Sequence, residues 1–220
     1  MIISLYNIKG GVGKTSTSVN LVSVASKRGK TLLWDLDIQG ASSYFFNKKP
    51  KKRYIFSKPV EKIIKSTQYE NIDIIPADTK LEKYKNEIKN LLDILKKRYD
   101  FIVLDAPATL NQLTRDLLKH SDVILVPVLP NILSLRTYNQ ILQTKLAKNI
   151  KLFVNGFENK PSHKKIIRTI LKLPNYQYLK TYIPKSDLIE SMPFEKMSVV
   201  ERFPQSREAK IYEKMFNEIV

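Results

Sequence analysis

The chain has 220 residues, 43% of them hydrophobic, enough for one substantial core and at most one domain with a small elaboration. It has no cysteine, which excludes disulfides, thiolate metal sites and iron–sulfur clusters and accords with a reducing cytoplasm. The formal charge of +17, from 38 Lys+Arg against 21 Asp+Glu, favours a polyanionic partner, nucleic acid or an acidic membrane surface, although lysine used only for solubility would give the same balance.

Short apolar runs alternate with longer amphipathic ones, the pattern of an α/β fold with a mostly parallel, twisted sheet and helices on both faces. The chain opens on a strand predicted at Ile2–Asn7, which leads through a glycine-rich loop into a helix over Thr15–Arg28. That helix ends in Lys27, Arg28 and Gly29, a basic last turn and a glycine stop. No room precedes the first strand for a signal peptide, and no apolar run is long enough to span a bilayer, so a soluble chain without stable membrane insertion is expected. Further strands are predicted at Thr31–Asp35, Ile72–Ile75, Phe101–Asp105, Val123–Pro127, Ile150–Val154 and Tyr178–Tyr182. Helices are predicted at Leu81–Arg98, Asn111–His120, Ser134–Leu146, Ser162–Leu173 and Ser206–Ile219. One stretch breaks the alternation: Asn47 to Lys65 carries Lys48, Lys49, Lys51, Lys52, Arg53, Lys58, Lys62 and Lys65 against Glu61 alone. With Pro50 and Pro59 it reads as an exposed loop leading into a short helix. No linker or repeat divides the chain, and one domain over 1–220 is expected.

Between the first strand and the first helix lies Lys9-Gly10-Gly11-Val12-Gly13-Lys14-Thr15. Glycines let successive backbone N–H groups converge on phosphate oxygens, and the helix that starts there adds its positive end. Lys14 can reach the outer phosphates, and the Thr15 hydroxyl can ligate Mg²⁺.

The loop resembles the deviant Walker A motif of the ParA/MinD family, of the ParA/Soj partition type, with Ile8 where the general P-loop has glycine. The resemblance runs along nearly the whole chain. Asp35-Leu36-Asp37-Ile38-Gln39-Gly40 is similar to the family's second aspartate motif, with Ile38 in place of proline. Phe101-Ile102-Val103-Leu104-Asp105-Ala106-Pro107 resembles the Walker B strand, followed by Ala108-Thr109 where the family has proline–serine. Val126-Pro127 ends the next strand as in the family. The segments Ile183-Pro184 and Phe203-Pro204-Gln205-Ser206-Arg207 through Tyr212 are similar to the ParA C-terminal segment.

What the resemblance implies is a slow, partner-stimulated ATPase that uses ATP and Mg²⁺, with the nucleotide held by Lys9, Gly10, Gly11, Val12, Gly13, Lys14, Thr15 and Ser16. Lys14 would bind the β- and γ-phosphates, and Lys9 would cross a dimer interface to the partner subunit's nucleotide. Thr15 would hold the metal directly, Asp105 would help through water, Asp35 would support the metal region, and Asp37 would orient the attacking water. Carboxylates at strand ends also serve merely to cap helices, but Asp35 and Asp105 both fall at the edge where phosphate and metal would lie. Asn155 and Pro184 are candidates for adenine contact or for simple turn chemistry.

Two basic groups remain. Lys164, Arg168 and Lys172 recur every four residues on one predicted helix face, with Ile166, Ile167, Ile170 and Leu171 turned inward. Arg202, Arg207, Lys210 and Lys214 cluster near the C-terminus, and Arg207 matches the position where ParA-like proteins carry a DNA-contacting basic residue. A solvated charged face would look the same. Together these residues suggest non-specific binding to DNA phosphates, and with only eight residues ahead of Lys9 no helix-turn-helix is expected there. The leading expectation is therefore a partition switch: an ATP-sandwich homodimer, cytoplasmic and nucleoid-associated when ATP-bound, stimulated by an adaptor protein. The alternatives are a MinD-like positioning ATPase at a membrane or another polyanion, and a P-loop metabolic enzyme. The first lacks an amphipathic extension past Val220, the second a separate substrate constellation. The basic run Lys48–Arg53 extends the DNA surface, meets another polyanion or only solubilises.

Overall fold

The computed structural model describes residues 1–52, 55–81, 88–145 and 149–220. Its strands are β1 (Ile2–Leu5), β2 (Thr31–Asp35), β3 (Lys65–Ser66), β4 (Ile72–Ile75), β5 (Phe101–Asp105), β6 (Val123–Val128), β7 (Ile150–Phe157) and β8 (Ile183–Pro184). They form an eight-stranded sheet in the order β3-β4-β2-β5-β1-β6-β7-β8, in which only β3 is antiparallel to its neighbour.

The central strands are unbroken apolar runs because both of their faces are covered. Successive side chains point to opposite faces, and the sequence sorts them. Ile3, Leu5, Leu33 and Val103 pack against α1 (Lys14–Ser26) and α11 (Arg207–Asn217) through Val19, Val22, Met215 and Phe216. Ile2, Leu32, Trp34 and Leu104 meet Leu92 and Leu95 of α4 (Ile88–Lys96) and Leu117 of α5 (Gln112–His120) on the other face. Farther along the sheet, Ile124, Val126 and Leu152 meet α6 (Ile132–Gln143) and α7 (Pro161–Ile170). Full burial of each such side chain contributes about 1.5–3 kcal/mol, so this three-part core fixes the direction of every central strand. The carboxyl ends of the parallel strands therefore share one edge, where an α/β sheet binds ligands.

Some elements differ from expectation. The strand predicted at Tyr178–Tyr182 is reduced to one bridge, Leu152 with Tyr178, and pairing resumes at Ile183–Pro184. Leu179 still donates to the Leu152 carbonyl, but the next two amides are taken elsewhere: Glu218 accepts from the backbone N–H groups of Lys180 and Thr181. Helix α6 starts earlier than predicted because the Asn131 side chain caps it, accepting from the Ser134 N–H at 3.0 Å. The stretch from Asn47 to Lys65 does lead into the short helix expected of it, but the segment before that helix is not simply an exposed loop. The stretch folds a 3₁₀ turn at Ile55–Ser57 and the short α3 (Val60–Ile63), and buries Ile55 and Ile63 against Trp34 and its neighbours. Arg53, residues 82–87 of the helix predicted at Leu81–Arg98, and Leu146 lie outside the described residues. Four short helices were not foreseen: α2 (Ala41–Phe45), α8 (Asp187–Glu190), α9 (Met192–Glu195) and α10 (Val199–Arg202).

Candidate nucleotide site

The glycine-rich loop leaves β1 and enters α1 with Gly13 as its N-cap at φ 94°, a left-handed conformation that side chains resist. A Cβ on Gly13 would also stand 2.1 Å from Asn155 Nδ2. No side chain caps this helix, so its first N–H groups remain for a ligand. The loop is clamped from two sides. Asn7 accepts from the Lys9 N–H at 2.9 Å and donates to the Pro127 carbonyl at 2.8 Å. Asn155, at the end of β7, donates to the Val12 carbonyl at 2.9 Å.

Lys14 is 8% exposed, and its ammonium donates to the Lys9 carbonyl at 3.0 Å. Burial pushes its pKa down, against the pull of Asp105 and Asp37. A desolvated cation at a helix N-terminus, with one carbonyl partner, is an anion site in waiting.

The carboxylates are arranged in two tiers. Asp105, at the end of β5, is buried; its Oδ2 accepts from Thr15 Oγ1 at 2.8 Å and from the Ser42 hydroxyl. Asp105 Oδ1 is buried without a hydrogen-bond partner among the described residues. Burial raises the Asp105 pKa, opposed by those two hydroxyls. Beside it, Asp35 accepts from the Ser43 N–H and hydroxyl at 2.7 Å and from the Asp37 N–H at 3.2 Å. Burial first, and then the neighbouring Asp105, push its pKa up to about 7. Asp35 thus spends its oxygens shaping the turn that presents Asp37. Asp37 is half-buried, accepts from the Gln39 N–H at 3.0 Å, and opens on a cavity of about 300 Å³ lined also by Pro107, Thr109 and Asn111.

The orphaned Asp105 oxygen beside the Thr15 hydroxyl fits a hydrated Mg²⁺, which commonly takes one or two carboxylates and completes its shell with substrate phosphates and water. The sequence reading brought together Lys9, Lys14, Thr15, Asp35, Asp37 and Asp105, and these do share the sheet's carboxyl edge. It missed Asn7, a polar residue in the loop after β1, and Ser42 and Ser43, polar residues in the short α2 that follows the β2 turn. Pro184 on β8 pairs with Phe157 of β7, whereas Ile183 is the partner of Asn155.

The outlying basic residues do not behave alike. Lys164, Arg168 and Arg207 line one groove of about 510 Å³ at the β8 edge, with Phe157, Tyr182 and Asn159. Phe157 and Tyr182 lie against each other there, ring centroids 4.4 Å apart. Lys172 falls beyond the end of α7, off the predicted three-cation face, and Leu171 is exposed rather than packed inward. Arg202 is engaged at 2.7 Å with Glu195 and lies over the Phe203 ring. Lys210 is exposed on α11. Among the described residues no helix is long and apolar enough to cross a membrane.

A strand, a glycine loop with a buried lysine, and a helix N-terminus whose Thr15 hydroxyl meets the Asp105 carboxylate of the neighbouring strand define a P-loop nucleotide-binding protein. The family model described as an AAA domain matches residues 1–156. The sporulation initiation inhibitor protein Soj of Bacillus subtilis (strain 168) is 30% identical over 99% of this chain and 97% of its own length. Among solved structures, a protein described as a plasmid partition protein of Borrelia burgdorferi B31, bound to AMPPNP, superposes with a TM-score of 0.85 at 22% identity, covering 99% of this chain and 97% of that one. The septum site-determining protein MinD of Pyrococcus horikoshii OT3, complexed with Mg-ADP, gives 0.82 at 23% identity, over 99% and 95%. The chain belongs to the ParA/Soj group of the ParA/MinD family of P-loop ATPases.

Proposed function

We propose that this protein is a partition-type switch: ATP closes a homodimer, the dimer holds duplex DNA without sequence preference, and hydrolysis releases it. The observation that carries the DNA half is the convergence of Lys164, Arg168 and Arg207, distant in sequence, on one open groove beside two aromatic rings. Cations on an open surface suit phosphate tracking, which carries no sequence information.

In this reading Lys14 turns from the Lys9 carbonyl to the β- and γ-phosphates, and the N–H groups from Gly10 to Ser16 cradle them. Thr15 and Asp105 would hold Mg²⁺, which when bound neutralises charge on the bridged phosphate oxygens. Asp35 holds the turn and Asp37 orients the attacking water. Such catalysis is mostly positioning and electrostatics, so an unstimulated rate would be slow and an adaptor protein that fixes Asp37 would raise it. Asn155 and Pro184, at the ends of adjacent strands, would border the adenine. Lys9 would reach the second subunit's phosphates. Support for that closure comes from Ile8 and Ile38, exposed at 38% and 41% in the loops after β1 and β2, and from Ile132 and Leu133, exposed at 66% and 61% in the first turn of α6, which follows β6. A rim of this kind is suited to burial by a second copy.

DNA segregation or cargo positioning as the setting is supported by the structure described as a plasmid partition protein. The deciding experiment is binding to random-sequence duplex with ATP, with ADP and without nucleotide. A gain seen only with ATP is expected; equal affinity in all three states would remove the switch.

A further inference from the structure

The basic stretch from Lys48 to Lys65 lies at the opposite edge of the sheet from the Arg207 groove, since β3 and β8 are the two outermost strands. With strands about 4.8 Å apart, seven spacings separate the two edges by roughly 34 Å. The two cationic regions are therefore separate surfaces.

The lysines at the β3 edge are fixed by backbone rather than left loose. Lys51 is pinned by its N–H to the Ala77 carbonyl at 2.7 Å and by its own carbonyl to the Thr79 N–H at 3.0 Å. Lys58 and Lys62 stand one turn apart around α3, whose Ile63 is buried, and Lys65 is paired in β3. These four lysines surround a single concavity floored by Ile55, Ile63 and Pro76. Among the described residues the neighbouring carboxylates are committed elsewhere. Glu61 pairs with Arg98, and Asp73 accepts from Tyr99 at 2.7 Å and faces Lys30 at 3.8 Å. Asp78 is buried and accepts from the backbone N–H groups of Ile55 and Lys80, both at 2.9 Å. Among the described residues none of the four lysines has an ion-pair partner, so their charges add.

Three features select the ligand. The cavity itself is only about 20 Å³, too small for a nucleotide or a side chain, so a ligand must lie along the lysine rim. The apolar residues beneath it are buried and so offer no hydrophobic anchor to a protein partner. The rim continues into exposed Lys49 and Lys52, a track of point charges rather than a pocket. We infer that this lysine track is a second phosphate-backbone surface for duplex DNA, independent of the bound nucleotide. The nucleotide loop gates affinity at the other edge, where hydrolysis releases the duplex, and the β3 edge supplies a weaker contact that does not depend on ATP. This inference goes beyond the proposed switch and does not require it.

One assay separates the two: affinity of the full chain for random-sequence duplex at about 50 mM salt, with and without ATP. The double change Lys58→Glu and Lys62→Glu should lower the nucleotide-free affinity about tenfold or more and flatten its salt dependence, while ATP binding stays unchanged. The milder pair Lys58→Gln and Lys62→Gln should lose less in the same direction, which separates charge from misfolding. Trp34, the only tryptophan, lies 6.2 Å from Phe56 and reports by fluorescence whether this edge is still folded. Arg207→Glu should instead lower the ATP-dependent gain and spare the nucleotide-free component. Unchanged nucleotide-free affinity in the folded lysine variants overturns the inference. So does displacement of the bound chain by poly-glutamate at lower charge concentration than by duplex, which would mark an acidic protein segment as the ligand. Absence of an ATP gain in the unaltered chain would instead defeat the switch, and the lysine variants would still decide this surface.

Discussion

At the phosphate loop the cation Lys14 is 8% exposed and its ammonium rests on a backbone carbonyl, whereas Lys164, Arg168 and Arg207 are exposed and line an open groove. The first region is held by backbone: Gly13 in a left-handed conformation, Asn7 and Asn155 clamping the loop, Ser42 and Ser43 on the carboxylates. The second is held by the folds of α7 and α11 alone, and its side chains remain free to follow a ligand. A buried site gains strength from low dielectric and suffers severely when one part is lost. An open surface spreads its affinity over many weak, screened contacts.

That contrast is tested first at the loop. Gly13→Ala should abolish ATP binding, because the new Cβ meets Asn155 and the backbone conformation is refused to alanine. Lys14→Ala should weaken ATP by about a hundredfold or more, the loss of two charge-assisted hydrogen bonds, read by calorimetry. A modest loss in either would mean that the loop is not the nucleotide site. Asp37→Ala comes next: turnover should fall at least about tenfold while ATP affinity stays within a few-fold, since a water-positioning residue acts mainly on the transition state. Parallel losses in both would make Asp37 a binding residue. Smaller still, Arg207→Glu should cost about tenfold in ATP-dependent duplex affinity and nothing in ATP affinity, because one phosphate contact among several is removed.

The same contrast governs what could be read from the sequence. The loop, Asp37 and Asp105 are legible because the chemistry needs fixed residue types at consecutive positions beside an apolar strand. The central strands are legible because burial on both faces demands unbroken apolar runs, as in Phe101–Asp105. Convergence is not legible. Nothing in the spacing of Lys164 and Arg207 says that α7 and α11 open on one groove, nor that Glu195 takes Arg202 out of it. The misplaced strand at Tyr178–Tyr182 has the same origin, since the amides of Lys180 and Thr181 go to Glu218, 38 and 37 residues away. Helices of four or five residues, such as α2 and α10, carry too little periodicity to stand out from turns.

Asp35 gives the subtlest test, because it belongs to the buried tier yet its effect appears only with pH. Its folded-state pKa of about 7 lies above the ordinary carboxylate value of 3.8, so the folded chain holds a proton that the unfolded chain releases. For an acid shifted upward the penalty is absent below about pH 4, grows as pH rises, and is complete above about 7. The nucleotide-free protein should therefore melt several degrees lower at pH 8 than at pH 5, part of that difference belonging to Asp35. Asp35→Asn should shrink the difference, because the amide cannot ionise and its oxygen can still accept from Ser43. The competing expectation is that Ser43 and the Asp37 N–H already satisfy an ionised Asp35, in which case the substitution lowers the melting temperature equally at both pH values. A pH-independent loss would thus assign Asp35 to the architecture of the turn, and a shrinking pH difference would assign it to the store of unfavourable charge that a bound cation relieves.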